Sequence, residues 1–260
     1  MEPDPRTLIA VLRHSHERLA SLVHAVSEDF LSSRSYATEW SVAQVLSHLG
    51  SGAEIASLML SSVLTGEPMD RAAFAPVWDV WNAKTPAQQA ADCLPADDAY
   101  ISRLEGLTGD ELAGISLEFF GMTLDAAGLV GMRLSEHAIH TWDVAVTIDP
   151  VAVVAPDAVP WLYGRVSWLA ERTGRAGEQP LRARLRGEVP EADLLLDVTD
   201  KVTLVPWPAE GAEVDGEFRM PAEALLRLFY GRLSPEVTPP VEISGDPALL
   251  DQVRAVFPGY

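Results

Sequence analysis

Arg133-Leu134-Ser135-Glu136-His137-Ala138-Ile139-His140-Thr141-Trp142-Asp143 closes a long helix-prone region of the 260-residue chain. Glu136 and His140 are four residues apart, so on a helix they share a face, one turn above the other. A carboxylate and an imidazole placed this way are either two ligands of a divalent ion or an ordinary ion pair. A second stretch, Glu39-Trp40-Ser41-Val42-Ala43-Gln44-Val45-Leu46-Ser47-His48-Leu49, offers a third ligand from another helix. Ser41 and Gln44 have the spacing of a capping box. The apolar stripe that follows, Val42, Val45, Leu46, Leu49, Ala53, Ala56 and Leu60, leaves His48 at its edge. Taken alone, His48 reads as a half-buried histidine sharing a hydrogen bond.

Working outward, Leu8, Val11, Leu12, Leu19, Leu22, Val23 and Val26 recur at helical steps and predict an amphipathic helix from Pro5 to about Ser27. His14, His16 and His24 lie on it. Because 14 and 16 cannot share a face, all three are assigned to the surface or its boundary. Gly66-Glu67-Pro68 ends the second helix, and Met69 to Asn82, with Trp78 and Trp81, reads as a loop or a short helix packed by its tryptophans. A third helix is expected from Pro86 to about Leu107, kinked or divided at Pro95. The fourth runs from about Thr123 to Val146 and carries the opening stretch. Four such helices make an antiparallel bundle the simplest fold for residues 1–150.

Three prolines between Asp149 and Pro160 mark a linker, and a helix is expected from Trp161 to Arg172. The period then changes. Leu181-Arg182-Ala183-Arg184-Leu185-Arg186 alternates strictly, as a strand with one wet face does. Strands are expected at Leu194–Val198, Val202–Val205, Val214–Met220 and Val241–Ser244, a helix after Pro221 that stops at Gly231, and a last helix after Asp246-Pro247. Residues 151–260 therefore form a small α/β domain, and the chain as a whole is α+β.

The formal charge of -19 divides into 8 basic against 21 acidic residues up to Pro150 and 11 against 17 after it. Neither half has the basic excess that phosphate neutralisation needs, so nucleic acid and an anionic membrane surface are excluded as partners. No stretch approaches the roughly 20 apolar residues of a membrane span. Met1-Glu2-Pro3-Asp4-Pro5 lacks the order of a secretory leader, which points to the cytoplasm. Cys93 is the sole cysteine, which rules out an internal disulfide or a cysteine-built zinc site and reads as a packed small hydrophobe.

His48 with Glu136 and His140 would supply two nitrogens and one oxygen. That set suits zinc, iron or nickel and leaves coordination positions open, as catalytic sites do. Thr38-Glu39-Trp40-Ser41-Val42 with His48-Leu49, then Arg133, Glu136 and His140-Thr141-Trp142-Asp143, resembles the mycothiol-dependent maleylpyruvate isomerase family within the DinB-like metalloenzymes. Leu225-Leu226-Arg227-Leu228-Phe229-Tyr230-Gly231-Arg232-Leu233 and Val241-Glu242-Ile243-Ser244-Gly245-Asp246-Pro247 resemble that family's sterol-carrier-like C-terminal domain.

The resemblance implies a DinB-like four-helix bundle whose divalent metal, zinc foremost, is held by His48, Glu136 and His140. It implies mycothiol as thiol cosubstrate and a small electrophile as substrate, with S-transfer or cis-trans isomerisation as the outcome. Mycothiol is an actinobacterial thiol, and 17 arginines among 19 basic residues fit such a source. The family's functional arginine corresponds to Arg232, which could otherwise be a helix-end arginine compensating the dipole. Arg133, three before Glu136, is read equally as a functional arginine or as a structural partner of that carboxylate, and Asp143, three after His140, either as an acceptor that orients that imidazole or as a solvated carboxylate. His137 points about 100° away from Glu136 and is not counted as a ligand. A metal-dependent hydrolase and a non-enzymatic small-molecule binding module are the competing readings.

Overall fold

The computed structural model describes residues 4–37, 39–119, 121–177 and 179–259. Thr38 of the motif that carries the family resemblance and Met1 to Pro3 of the N-terminal reading lie outside them. The chain divides into two compact units, Met1–Asp149 and Pro150–Tyr260.

In the first unit the long helices are α1 (Pro5–Ala25), α3 (Val42–Thr65), α5 (Pro86–Glu105) and α7 (Ala126–Ile148), with short helices α2 (Glu28–Leu31), α4 (Phe74–Asn82) and α6 (Gly109–Ala113) between them. Asp4, Ser41, Thr85 and Asp125 cap the four long helices with their side chains, and Ser41 with Gln44 completes the expected capping box. α1 packs on α7 and α5, and α3 on α5 and α7, so the four close a ring around one core. Leu12, Leu19, Val45, Leu46, Leu49, Ile101, Leu104, Val130 and Leu134 fill it.

Two open readings resolve here, and one connection gains structure. Pro95 stays inside a single helix. Within 69–82 the short-helix reading holds, a 3-10 turn at Arg71–Ala73 leading into α4, with Trp81 buried and Trp78 nearly half exposed. The connection before α7 holds a hairpin, β1 (Leu117–Phe119) and β2 (Met122–Leu124), too short for a twofold pattern to stand out.

The second unit begins with α8 (Val159–Tyr163) and α9 (Val166–Thr173), two short helices flanking Gly164 where one was expected. β3 (Leu181–Glu188), β4 (Ala192–Val198), β5 (Val202–Pro206), β6 (Gly216–Pro221) and β7 (Glu242–Gly245) form a sheet in the order β5-β4-β3-β6-β7. Among the described residues only β3 and β6 pair in parallel. On β3, Leu181, Ala183, Leu185 and Gly187 are buried while Arg182, Arg184 and Arg186 are half-buried, the alternation read from the sequence. α10 (Ala222–Phe229) covers β3 and β6, and α11 (Leu249–Val256) ends the chain's helices. Among the described residues no helix is long and apolar enough to cross a membrane.

Candidate metal centre

α3 carries His48 and α7 carries Glu136 and His140, and their donor atoms converge within 4.8 Å of one another. His48 Nε2 lies 3.1 Å from Glu136 Oε2, and His140 Nε2 lies 3.7 Å from the same oxygen. A tetrahedral ion with ligands about 2.0–2.1 Å away separates its donors by roughly 3.3–3.4 Å. The two distances bracket that value, and all three donors lie within 4.8 Å of one another, so the residues are compatible with a divalent ion.

His140 Nδ1 lies 2.8 Å from Asp143 Oδ2, a carboxylate acceptor that orients the ring with Nε2 toward Glu136. Asp143 is fully buried, so this carboxylate is part of the interior and not a solvated charge. Burial lowers the His48 pKa more than its bond to Glu136 raises it, which keeps the imidazole neutral. Burial opposes ionisation of Glu136, but hydrogen bonds from His140 and His48 outweigh it and hold the carboxyl well below the usual range. The electrostatics therefore favour the ligating form at both positions. The half-buried Trp40 ring lies 5.0 Å from His48 and 5.9 Å from His140 between centroids, forming an aromatic wall beside the donors.

Two neighbouring assignments are corrected. Arg133 does not pair with Glu136: its Nη2 donates to Asp97 Oδ1 at 2.7 Å and to the Leu49 carbonyl at 2.8 Å. His16 is not at the surface. It is 9% exposed, with Nδ1 2.8 Å from Asp97 Oδ2. His137, turned away from the trio as expected, brings its Nε2 to 2.9 Å from the same Asp97 oxygen. The His16, Asp97 and His137 cluster went unread because Asp97 was not recognised on the apolar stripe of α5.

Arg232 belongs to the second unit. α10 ends in a Schellman motif: the Arg232 N–H bonds the Arg227 carbonyl at 2.8 Å and the Gly231 N–H the Leu228 carbonyl at 2.9 Å. Gly231 adopts φ +69°, and a Cβ there would sit 2.2 Å from the Gly259 nitrogen, so glycine is required. Buried Arg227, clamped bidentately by Glu223, donates to the carbonyls of Arg232 and Val237. The Arg232 guanidinium is buried and donates to the Tyr230 carbonyl at 2.7 Å.

Residues 12–145 match the family described as the mycothiol maleylpyruvate isomerase N-terminal domain, and residues 182–252 match that family's C-terminal domain. The chain belongs to the mycothiol maleylpyruvate isomerase family. A crystal structure of the mycothiol-dependent maleylpyruvate isomerase resembles it with TM-score 0.68 and 15% identity, over 93% of each chain. A histidine-to-alanine mutant of that enzyme gives TM-score 0.66 and 14% identity over 88% of this chain and 90% of that one. At such identity the likeness is one of fold, and it spans both units of this family member. No curated protein matches the chain by sequence.

Proposed function

We propose that this family member is a mycothiol-dependent enzyme that holds a divalent ion, zinc by donor set, through His48, Glu136 and His140. The convergence of two imidazoles and one carboxylate held in its ionised form carries this reading. Such an ion would supply a Lewis acid at which a thiol loses its proton at neutral pH.

The chain's own sulfur does not compete for that role. Cys93 is buried, and burial, with the charge of Asp97, pushes its thiol up to about 12. The nucleophilic sulfur must then come from a cosubstrate, as mycothiol dependence requires. The thiolate adds to an electron-poor cis double bond, the former double bond rotates, and expulsion of the same thiolate restores it as trans. Retention of the adduct would instead give S-transfer. Asp143 orients His140 throughout, and Trp40 shields one side of the site. For a dicarboxylate substrate in so acidic a protein, Arg232 supplies the matching cation.

Metal analysis of the purified protein, followed by assay of maleylpyruvate with and without mycothiol, tests the proposal. One divalent ion per chain and thiol-dependent formation of the trans product are expected. A protein that holds no ion and whose stability ignores both zinc and chelator would sink it. Activity without any thiol would point to hydrolysis, with hydroxide in the open position.

A further inference from the structure

We infer that Arg133 and Asp97 are positioning residues for the metal centre, locking the register of α3 against α7 one helical turn below the ligands; this rests on the metal reading above. Arg133, Glu136 and His140 stand at i, i+3 and i+7 on α7 and share one face. From that face Arg133 Nη2 reaches two other helices at once, the Leu49 carbonyl next to His48 on α3 and Asp97 Oδ1 on α5. The second Asp97 oxygen lies 2.8 Å from His16 of α1 and 2.9 Å from His137 of α7. Ser15 of α1 adds a 2.8 Å bond to His137 Nδ1. All four long helices are thus tied at one level.

Every member of this knot is buried, Asp97 and His137 completely and Arg133 to 5% exposure. A buried ion pair is a poor stabiliser but an effective way to specify one packing register. Gly52 on α3 makes room for it, since a Cβ there would stand 2.8 Å from Arg133 Nη1. Two ligands lie on α7 and one on α3, so a slide between those helices would separate His48 from the other pair. Ligand sets demand placement to about half an ångström.

The same cluster could be imagined as a second metal site. Its donors stand at hydrogen-bond distance from one carboxylate oxygen, and the Arg133 cation occupies the other, an arrangement that already satisfies the carboxylate.

The test compares cobalt(II) and zinc affinity, and the visible absorption of the cobalt protein, among wild type and the variants Arg133→Met, Arg133→Lys, Gly52→Ala and Asp97→Asn. Leu60→Ala, a core truncation at the far end of α3, controls for lost stability. Expected are at least tenfold weaker binding and an altered cobalt spectrum for Arg133→Met and Asp97→Asn, partial recovery in Arg133→Lys, and wild-type binding in Leu60→Ala. If Arg133→Met or Asp97→Asn does not fold, Arg133→Lys and Gly52→Ala decide by binding weaker than wild type or equal to it.

Wild-type affinity and spectrum in the Arg133 and Gly52 variants would overturn the inference and leave the metal centre standing. Equal weakening in Leu60→Ala would overturn it too. So would two ions per wild-type chain, one of them lost in Asp97→Asn. A wild-type protein that takes up no ion overturns the metal reading and this inference together.

Discussion

Arg133 Nη2 lies 2.7 Å from Asp97 Oδ1, joining α7 to α5 through a pair of charges sealed from solvent. Burial opposes ionisation of Asp97, but His137 and Arg133, with hydrogen bonds from His137 and His16, hold its carboxyl well below the usual range. The folded state therefore releases this proton more readily than the unfolded state, whose value is near 3.8. The contribution to stability is complete above the unfolded value and is lost as pH falls toward the folded one. Within that window the slope is about 1.4 kcal/mol per pH unit.

Asp97→Asn should consequently cost about 3–5 kcal/mol at neutral pH, the usual cost of removing one partner from a buried pair. Urea unfolding of both proteins from pH 7 down to pH 3 should show a constant gap above about pH 5. Below about pH 4 the gap should narrow. A gap that widens on acidification would contradict the assignment.

Asp143 makes a separate prediction. Its carboxylate accepts the His140 Nδ1–H at 2.8 Å, and replacement by asparagine keeps the shape and an acceptor while removing the charge. Metal affinity should fall by roughly 10–100-fold, the usual effect of losing the group behind a ligating histidine. Competition against a chelating dye measures it. His140→Ala, which removes the donor itself, should abolish binding and leave the second unit folded.

Much of this arrangement was legible in the sequence because it rests on period. Glu136 and His140 at helical spacing, His48 at the edge of an apolar stripe, and the strict alternation of Leu181 to Arg186 each translate directly into faces. The Asp97 knot was illegible for a physical reason. Its side chains come from three helices and a backbone carbonyl from the fourth, and sequence spacing reports neighbours on one helix only. The available signal was Asp97 standing with Cys93, Tyr100, Ile101 and Leu104 on the buried stripe of α5, a carboxylate where a hydrophobe belongs. Such a residue needs partners, and buried histidines and an arginine supply them. The β1–β2 hairpin escaped because three residues per strand give no measurable period.

Cys93 should be inert in the folded protein. With the thiol pushed up to about 12 and no exposed surface, a thiol reagent at pH 8 has almost no thiolate to meet. One equivalent of Ellman's reagent per chain should react only after unfolding in guanidinium. Prompt reaction of the native protein would remove the argument that the nucleophilic sulfur comes from outside the chain.

The last prediction concerns Gly231, the residue that turns the chain from α10 into Arg232. Alanine there faces φ +69° and a Cβ position 2.2 Å from the Gly259 nitrogen, so the terminal segment, the turn or both must move. The left-handed conformation costs about 1–2 kcal/mol and the overpacking about 1–3 more. Thermal or urea unfolding should therefore show roughly 2–5 kcal/mol of lost stability. Displacing the turn also redirects Arg232, whose N–H and carbonyl are both held by Arg227. Gly231→Ala should accordingly lower thiol-dependent turnover of a dicarboxylate substrate while metal content stays at the wild-type level. A variant that unfolds like wild type would mean that the turn relaxes without strain. A variant that loses its metal would mean that the fault is not confined to the arginine.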